Sequence, residues 1–538
     1  RKGTNKLRIE RWIEKFYENT FGRLVQPYLS IIKFSAGGHS RLRRTLMTLA
    51  VVALLVVSVR GVMPVIGRDL MPPMDTGIIK AHVKFSANET VEAAEQRIKP
   101  FLTWLHQQPE VEMSSVSFGS EPGVLSLGSG SLPTESVMTI NCVDRFQRKA
   151  TIWQLEDRIR QKLAELQNVK AVDVYDFGAT AVSSIKAPIN VQLLAEDYNL
   201  LPAASHKAAA AIANVKGLTS ISTSWDQDFT EAELEIDSNR ALAYGMTPVQ
   251  IAAQLPLAGI PVTLSGNLVT MQTQFVRLYF NRPFDKNLQD LRLIPIQTAK
   301  GPVPLEALAK IRYRLTANKI ERNNLLYSVD ISGYRAKRAI STMTEDADRA
   351  LKTVDLQGVE VHQEGDMKQM GDTFKRMIKS IGIGIVLLLM ALIAIYHSVR
   401  MSVVMILVLP LSMIGAAWGM LLFNKPSCMP SLVGIMLLFG IIIKNSVLLI
   451  DFYQHYRKAG NAPLDAALES VRVRFRPVFM TAFGTIAGML PIAFEWAVGL
   501  ERLSPLADVA IGGLIIGTIL TLIYIPLFAY SVEKKDAR

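Results

Sequence analysis

The chain has 538 residues and a formal net charge of +12. Its mean hydropathy is +0.23, yet 20% of its residues are charged, which excludes a wholly soluble domain and a bare helical bundle and fits membrane spans fused to a water-soluble part. Its two cysteines, Cys142 and Cys428, lie far apart, so they form neither a disulfide framework nor a metal-ligand set; no nucleotide-binding loop, catalytic triad or zinc motif is seen, so no enzyme activity, cofactor or nucleic-acid partner is expected.

The chain opens at Arg1, with no charged start, short apolar core and small-residue cleavage site. A segment of a longer polypeptide is expected. Residues 7–34 place Leu7, Ile9, Trp12, Ile13, Phe16 and Tyr17 at helical spacing, so 1–44 reads as a cytoplasmic, interfacial amphipathic helix. The run 46–66 is long enough to span a bilayer and is interrupted by Arg60, which makes 45–67 the first transmembrane helix.

A long polar stretch follows. Residues 76–87 alternate as a strand, 88–106 read as a helix, and strands at 112–119 and 136–143, a helix at 152–166 and a strand at 169–176 complete a β-α-β-β-α-β unit over 68–187. A second unit of the same pattern is expected over 188–236 and 313–370. The insertion 237–312 splits it, carrying a helix at 248–255 and a glycine-bearing turn at Ser265, Gly266 and Asn267. Five further apolar runs, near 381–396, 401–423, 431–452, 478–494 and 507–530, form a membrane sector over 371–538. The expected fold class is therefore a six-helix α-helical membrane bundle joined to an α+β domain.

Charge orients it. Arg41, Arg43 and Arg44, then Arg457, Lys458, Arg472, Arg474 and Arg476, then Lys534 and Lys535 fall on one side of the membrane, against Lys425 and Arg502 in the opposite short loops. The basic side is cytoplasmic and the large domain periplasmic.

Within the fourth span, Lys444 lies about 20 Å from its start at Ser431. A lysine at that depth faces the bundle interior and requires an anion. Spans one, two, three and six show no Asp or Glu in their cores; Asp451 and Glu495 lie at span ends. The chain therefore has the cation of an intramembrane pair without the anion. Asn445 adds an amide, and Arg474 and Thr481 share a face of the fifth span at two-turn spacing, so the four compose a candidate proton relay.

The stretches GIIIKNSVLLIDF and RFRPVFMTAFGTIAGMLPIA, with RDLMPPMDTGII after the first span, resemble the resistance–nodulation–division (RND) efflux permeases. The layout is similar over nearly the whole chain to the C-terminal half of that twelve-span fold. The resemblance implies that Lys444, Arg474 and Thr481 act with a pair of aspartates on the N-terminal half. It also implies a homotrimer, a periplasmic adaptor protein, an outer-membrane channel, ferredoxin-like porter subdomains and a docking role for the insertion with Ser265, Gly266 and Asn267. It likens the loop 118–133, with Phe118, Val124, Leu125 and Leu127, to the one dividing the family's substrate pockets, with Met138 nearby.

The expected function, for a protein of the bacterial inner membrane, is proton-driven export of organic, drug-like or amphiphilic compounds from the periplasm or inner membrane toward an outer-membrane channel. Thr180 stands where a metal-type pump would place a further methionine. Heavy-metal export, or a SecD/SecF-like translocation accessory, is the alternative.

Overall fold

A computed structural model describes residues 25–36, 40–119, 132–177, 187–259, 262–267, 273–278, 288–317, 319–335 and 337–536. The expected interfacial face at 7–17 and the loop residues Val124, Leu125 and Leu127 lie outside them, as does Thr180. The chain forms two compact units, Trp225–Ile320 and the remainder.

In the larger unit, α1 (residues 25–36) precedes the first long apolar helix, α2 (Ser40–Val57). Pro64 has no N–H to give the carbonyl four residues back. The helix accommodates it with a π turn at Ser58–Val62, whose last bond runs from the Met63 N–H to the Ser58 carbonyl, before closing at Met63–Ile66.

The first sheet domain contains β1 (Ile78–Phe85), α3 (Val91–His106), β2 (Val111–Phe118), β3 (Glu135–Cys142), α4 (Ile152–Ala164) and β4 (Val169–Asp176). Thr90 caps α3, and Thr151 with Gln154 forms a capping box on α4. The antiparallel order is β2-β3-β1-β4. Ile79, Ala81, Val83 and Phe85 point to the helices, where Ile98, Leu105, Ile159 and Leu163 complete a closed core.

The second sheet domain begins with β5 (Ile189–Ala195), α5 (Leu201–Ile212) and β6 (Leu218–Thr223). The chain then enters the smaller unit. This unit holds β7 (Phe229–Ile236), α6 (Ser238–Ala243), α7 (Pro248–Gly259), β8 (Val262–Asn267), β9 (Thr273–Leu278), β10 (Pro295–Thr298), β11 (Gly301–Pro304) and β12 (Ala309–Thr316). Two expectations change here. Residues 229–236, expected in the second sheet, pair with β12 as a ribbon, Leu234 opposite Ile311, so the insertion starts at Trp225 and ends at Ile320 rather than at 237 and 312. Ser265, Gly266 and Asn267 lie in a strand rather than a turn, opposite Phe275, Gln274 and Thr273.

Back in the larger unit, β13 (Glu321–Asn323), β14 (Leu326–Arg335), α8 (Ile340–Leu351) and β15 (Glu360–Gly365) complete the second sheet. Its central order, β6-β14-β5-β15, repeats that of the first sheet.

The remaining helices are α9 (Asp366–Tyr396), α10 (Val399–Ile406), α11 (Val408–Leu422), α12 (Met429–Lys458), α13 (Pro463–Ala493) and α14 (Ser504–Asp536). Expected as one span, 401–423 is two helices joined at Leu407, because Pro410 leaves the Ile406 carbonyl without its helical donor. Among the described residues, six helical stretches are long and apolar enough to cross a membrane. The α10–α11 stretch, α12 and α14 are the most enclosed, while α2, α9 and α13 leave apolar flanks exposed. Glycine makes the tightest crossing possible. A methyl on Gly419 would lie 2.6 Å from the Asp508 carbonyl oxygen, and one on Gly512 would strike Gly415, so α11 and α14 pack backbone to backbone.

Candidate functional site

Lys444 lies near the middle of α12, about 22 Å along the axis from Met429 and about 21 Å from Lys458. Each residue turns the helix by about 100°, so neighbours face different surroundings. Lys444 is exposed, while Ile443, Asn445 and Ser446 are buried. Among the described residues Lys444 makes no ion pair. One turn earlier, a methyl on Gly440 would meet no atom within 4 Å.

Arg474 is half-buried, its guanidinium carbon 3.9 Å from the Phe452 ring centroid, and its Nε is buried without a hydrogen-bond partner. Phe452 lies about 12 Å along α12 from Lys444. Because α13 returns antiparallel after a short connection, the seven-residue advance from Arg474 carries Thr481 about 10 Å back towards the level of Lys444. Thr481 is exposed, and its hydroxyl donates to the Val478 carbonyl at 2.9 Å. Gly484 and Gly488 beyond it have no neighbour a methyl would touch. Lys444 and Thr481 are thus both uncovered, Arg474 sits two turns away against Phe452, and Asn445 is turned inward at 3% exposure with its Nδ2 unpartnered. The amide of Asn445 therefore lies on the inward side of α12, and the ammonium of the adjacent Lys444 on the exposed side.

A cavity of about 630 Å³ opens among the π turn and the Met63–Ile66 turn that follow α2, α9, the α10–α11 stretch and α12. Met63, Phe374, Ile378, Leu409, Ile435 and Phe439 are among its apolar walls. Arg68 and, from α8, Ser341, Thr342 and Glu345 add polar lining on the side of the sheet domain.

The AcrB/AcrD/AcrF family profile matches residues 6–533. The chain belongs to this family. It is 24% identical to multidrug resistance protein MdtC of Klebsiella pneumoniae (strain 342) over 492 residues, covering 88% of this chain and 46% of that protein. It is 23% identical to nickel and cobalt resistance protein CnrA of Cupriavidus metallidurans over 489 residues, covering 87% of this chain and 45% of that protein. It superposes on the crystal structure of a heavy metal efflux pump with a TM-score of 0.81 at 21% identity, covering 96% of this chain and 52% of that one. The chain spans about half the length of these relatives.

In this AcrB/AcrD/AcrF family member, the residues singled out near the loop 118–133 divide. Phe118 stacks on Phe85 with ring centroids 6.4 Å apart, half-buried beside the core. Met138 is 0% exposed inside that core. Its expected contact with substrate is corrected: it alternates onto the helix side of the sheet and presents no surface.

Three groups escaped the sequence reading. On the opposite face of β1, His82 lies 3.6 Å from Glu135 and 3.8 Å from Asp173. Burial works against the imidazolium, but the two carboxylates outweigh it and push His82 above the usual histidine range. Ser222 of the second sheet donates to Asp173 at 2.7 Å, and the Lys84 ammonium donates to the Thr223 carbonyl at 2.7 Å, so this cluster joins the two sheet domains. The KxHxK alternation of β1 was the available signal.

At the far end of the helices, Arg145 pairs with Glu501 and with Glu495, which also pairs with Lys425 and accepts from Ser504 at 2.8 Å. Burial raises the Glu495 carboxyl, but Lys425, Ser504 and Arg145 hold it below the usual carboxylate range. One turn into α14, Asp508 is 0% exposed with both carboxylate oxygens unpartnered.

Proposed function

We propose that this chain is the C-terminal half of a proton-driven exporter that moves organic, amphiphilic compounds from the periplasm or inner membrane towards an outer-membrane channel. The observation that carries the reading is the exposed, unpaired Lys444 at the centre of a 30-residue apolar helix. A bare ammonium at that depth is costly in lipid, so the Lys444 face is covered by helices of the other permease half, whose aspartate pair supplies the anion. Thr481 and the open glycines Gly440 and Gly484 suit close helix packing there. Protonation of those carboxylates frees Lys444, and the helices shift.

The basic flanks of the spans support an inner-membrane protein with its sheet domains in the periplasm. Those domains act as porter subdomains, and the smaller unit, with Ser265, Gly266 and Asn267, acts as a docking module. The permease is a homotrimer working with a periplasmic adaptor protein. Phe118 and the adjoining loop residues Val124, Leu125 and Leu127 contact cargo.

The apolar cavity beside the first span favours amphiphiles, its polar lining suiting a headgroup and its walls a hydrocarbon body. Metal-ion export is the second reading, favoured by the similarity to the nickel and cobalt resistance protein CnrA and to the heavy metal efflux pump. Cells expressing the complete permease distinguish the two. The proposal expects resistance to cationic dyes and detergents with unchanged sensitivity to nickel, cobalt and copper salts. Protection against the metals alone reverses it.

A further inference from the structure

Just beyond the Met63–Ile66 turn that closes the first span, Asp69 is 0% exposed. Its Oδ1 accepts the Ile340 N–H at 2.6 Å and its Oδ2 accepts from Arg335 Nη1 at 2.8 Å. Arg335, the last residue of β14, also donates from Nη1 to the Arg338 carbonyl at 2.9 Å. Its Nη2 is buried and unpartnered. Asp366 opens α9 in the polar stretch ahead of that helix's apolar run. It too is 0% exposed, and neither carboxylate oxygen has a partner. Its backbone is fixed by a bond from its N–H to the Pro188 carbonyl at 3.3 Å, and Gly365 before it adopts φ +70° against the Ala187 carbonyl.

The charged groups acting on Asp366 from the packed elements are Arg335 and Asp69. On its own helix, Lys368 is turned to Glu364 at 2.7 Å. One guanidinium therefore serves two enclosed carboxyls. Asp69, held by a cation and a backbone N–H, has the partners of a carboxylate. A second bare carboxylate in the same enclosure is strongly disfavoured. This chain alone encloses Asp366, so no added subunit is needed to bury it.

We propose that Asp366 is a proton-binding site at the joint between the membrane helices and the second sheet domain. When protonated, Asp366 is neutral and leaves Arg335 to Asp69. On losing its proton it takes the free Nη2 of Arg335, which then bridges Asp69 and Asp366 and ties the segment after the first span and the start of α9 to β14. Arg335 is the positioning residue of this switch.

The test uses the complete permease and infrared difference spectroscopy of the protonated-carboxyl C=O stretch at pH 7. Wild type minus Asp366→Asn should show one such band. Asp69→Asn should lose the same band, because Arg335 passes to Asp366 and ionises it. Glu156 and Asp508 are common to all variants and cancel. Absence of the band in wild type, or its persistence in Asp69→Asn, overturns the proposal. If Asp69→Asn fails to fold, Asp366→Asn decides through its melting temperature. The amide mimics the neutral acid, so an unchanged melting temperature at pH 7 supports the site, and a drop of about 10 °C or more shows that Asp366 was a paired carboxylate. None of these readouts involves transport, so the site stands or falls separately from the export reading.

Discussion

Lys444 and Asn445 are adjacent in α12 and face opposite surroundings, one exposed and the other 3% exposed. They therefore have different tasks. Asn445→Leu exchanges an amide with an unpartnered Nδ2 for an apolar side chain of similar size. Its expected cost is below about 1.5 kcal/mol, read from unfolding of the purified chain in detergent. A loss above about 3 kcal/mol would show that the amide belongs to a hydrogen-bonded network.

The α11–α14 crossing depends on glycine. Gly512→Ala places a methyl against Gly415 and Gly419 and should destabilise by about 1–3 kcal/mol. Gly382→Ala, in α9 with nothing within 4 Å of the added methyl, should instead stabilise by up to about 1 kcal/mol. The opposite signs, measured by denaturant unfolding in detergent, check the packing.

Asp75 and Arg148 form a buried ion pair, and Asp75 Oδ2 also accepts the Ile152 N–H at 3.2 Å where α4 begins. Asp75→Ala leaves the guanidinium uncompensated and should cost about 3–5 kcal/mol. Adding Arg148→Met should recover part of that loss. A double variant less stable than Asp75→Ala would contradict the account.

His82 makes the sheet domains pH-sensitive. Its folded pKa is raised, so its contribution is complete below the ordinary value of about 6.5 and is lost as pH rises through the raised value. The melting temperature should fall across that interval in wild type. His82→Gln should flatten the dependence, and an unchanged slope would remove His82 as its source.

The spans were legible because runs of about 20 apolar residues admit few other readings. The doubled β-α-β-β-α-β order followed from alternation, as in IIKAHVKF and INVQLLA. Strand β7 was legible as a strand but not in its sheet, because its partner is Ala309–Thr316, far along the chain. Met138 was misread because the side of a strand that meets the helices is settled by packing. An aspartate one turn into an apolar run reads as the edge of a span, and one in the polar stretch ahead of a span reads as solvated, so the burial of Asp508 and of Asp366 required coordinates. Lys444 was legible because a lone cation amid apolar residues contradicts its surroundings.

Lys444→Ala, in the complete permease reconstituted into liposomes, tests the central claim most directly. In the proposed relay, removing the cation raises the pKa of the carboxylates that face it, so they stay protonated through the cycle. Imposed pH gradients should drive no substrate export in the variant, while the trimer assembles and binds substrate as wild type does. Thr481→Ala should retain more activity, since it removes a neutral hydrogen bond worth about 0.5–1.5 kcal/mol. Export at the wild-type rate by Lys444→Ala would contradict the relay and leave Lys444 a structural residue.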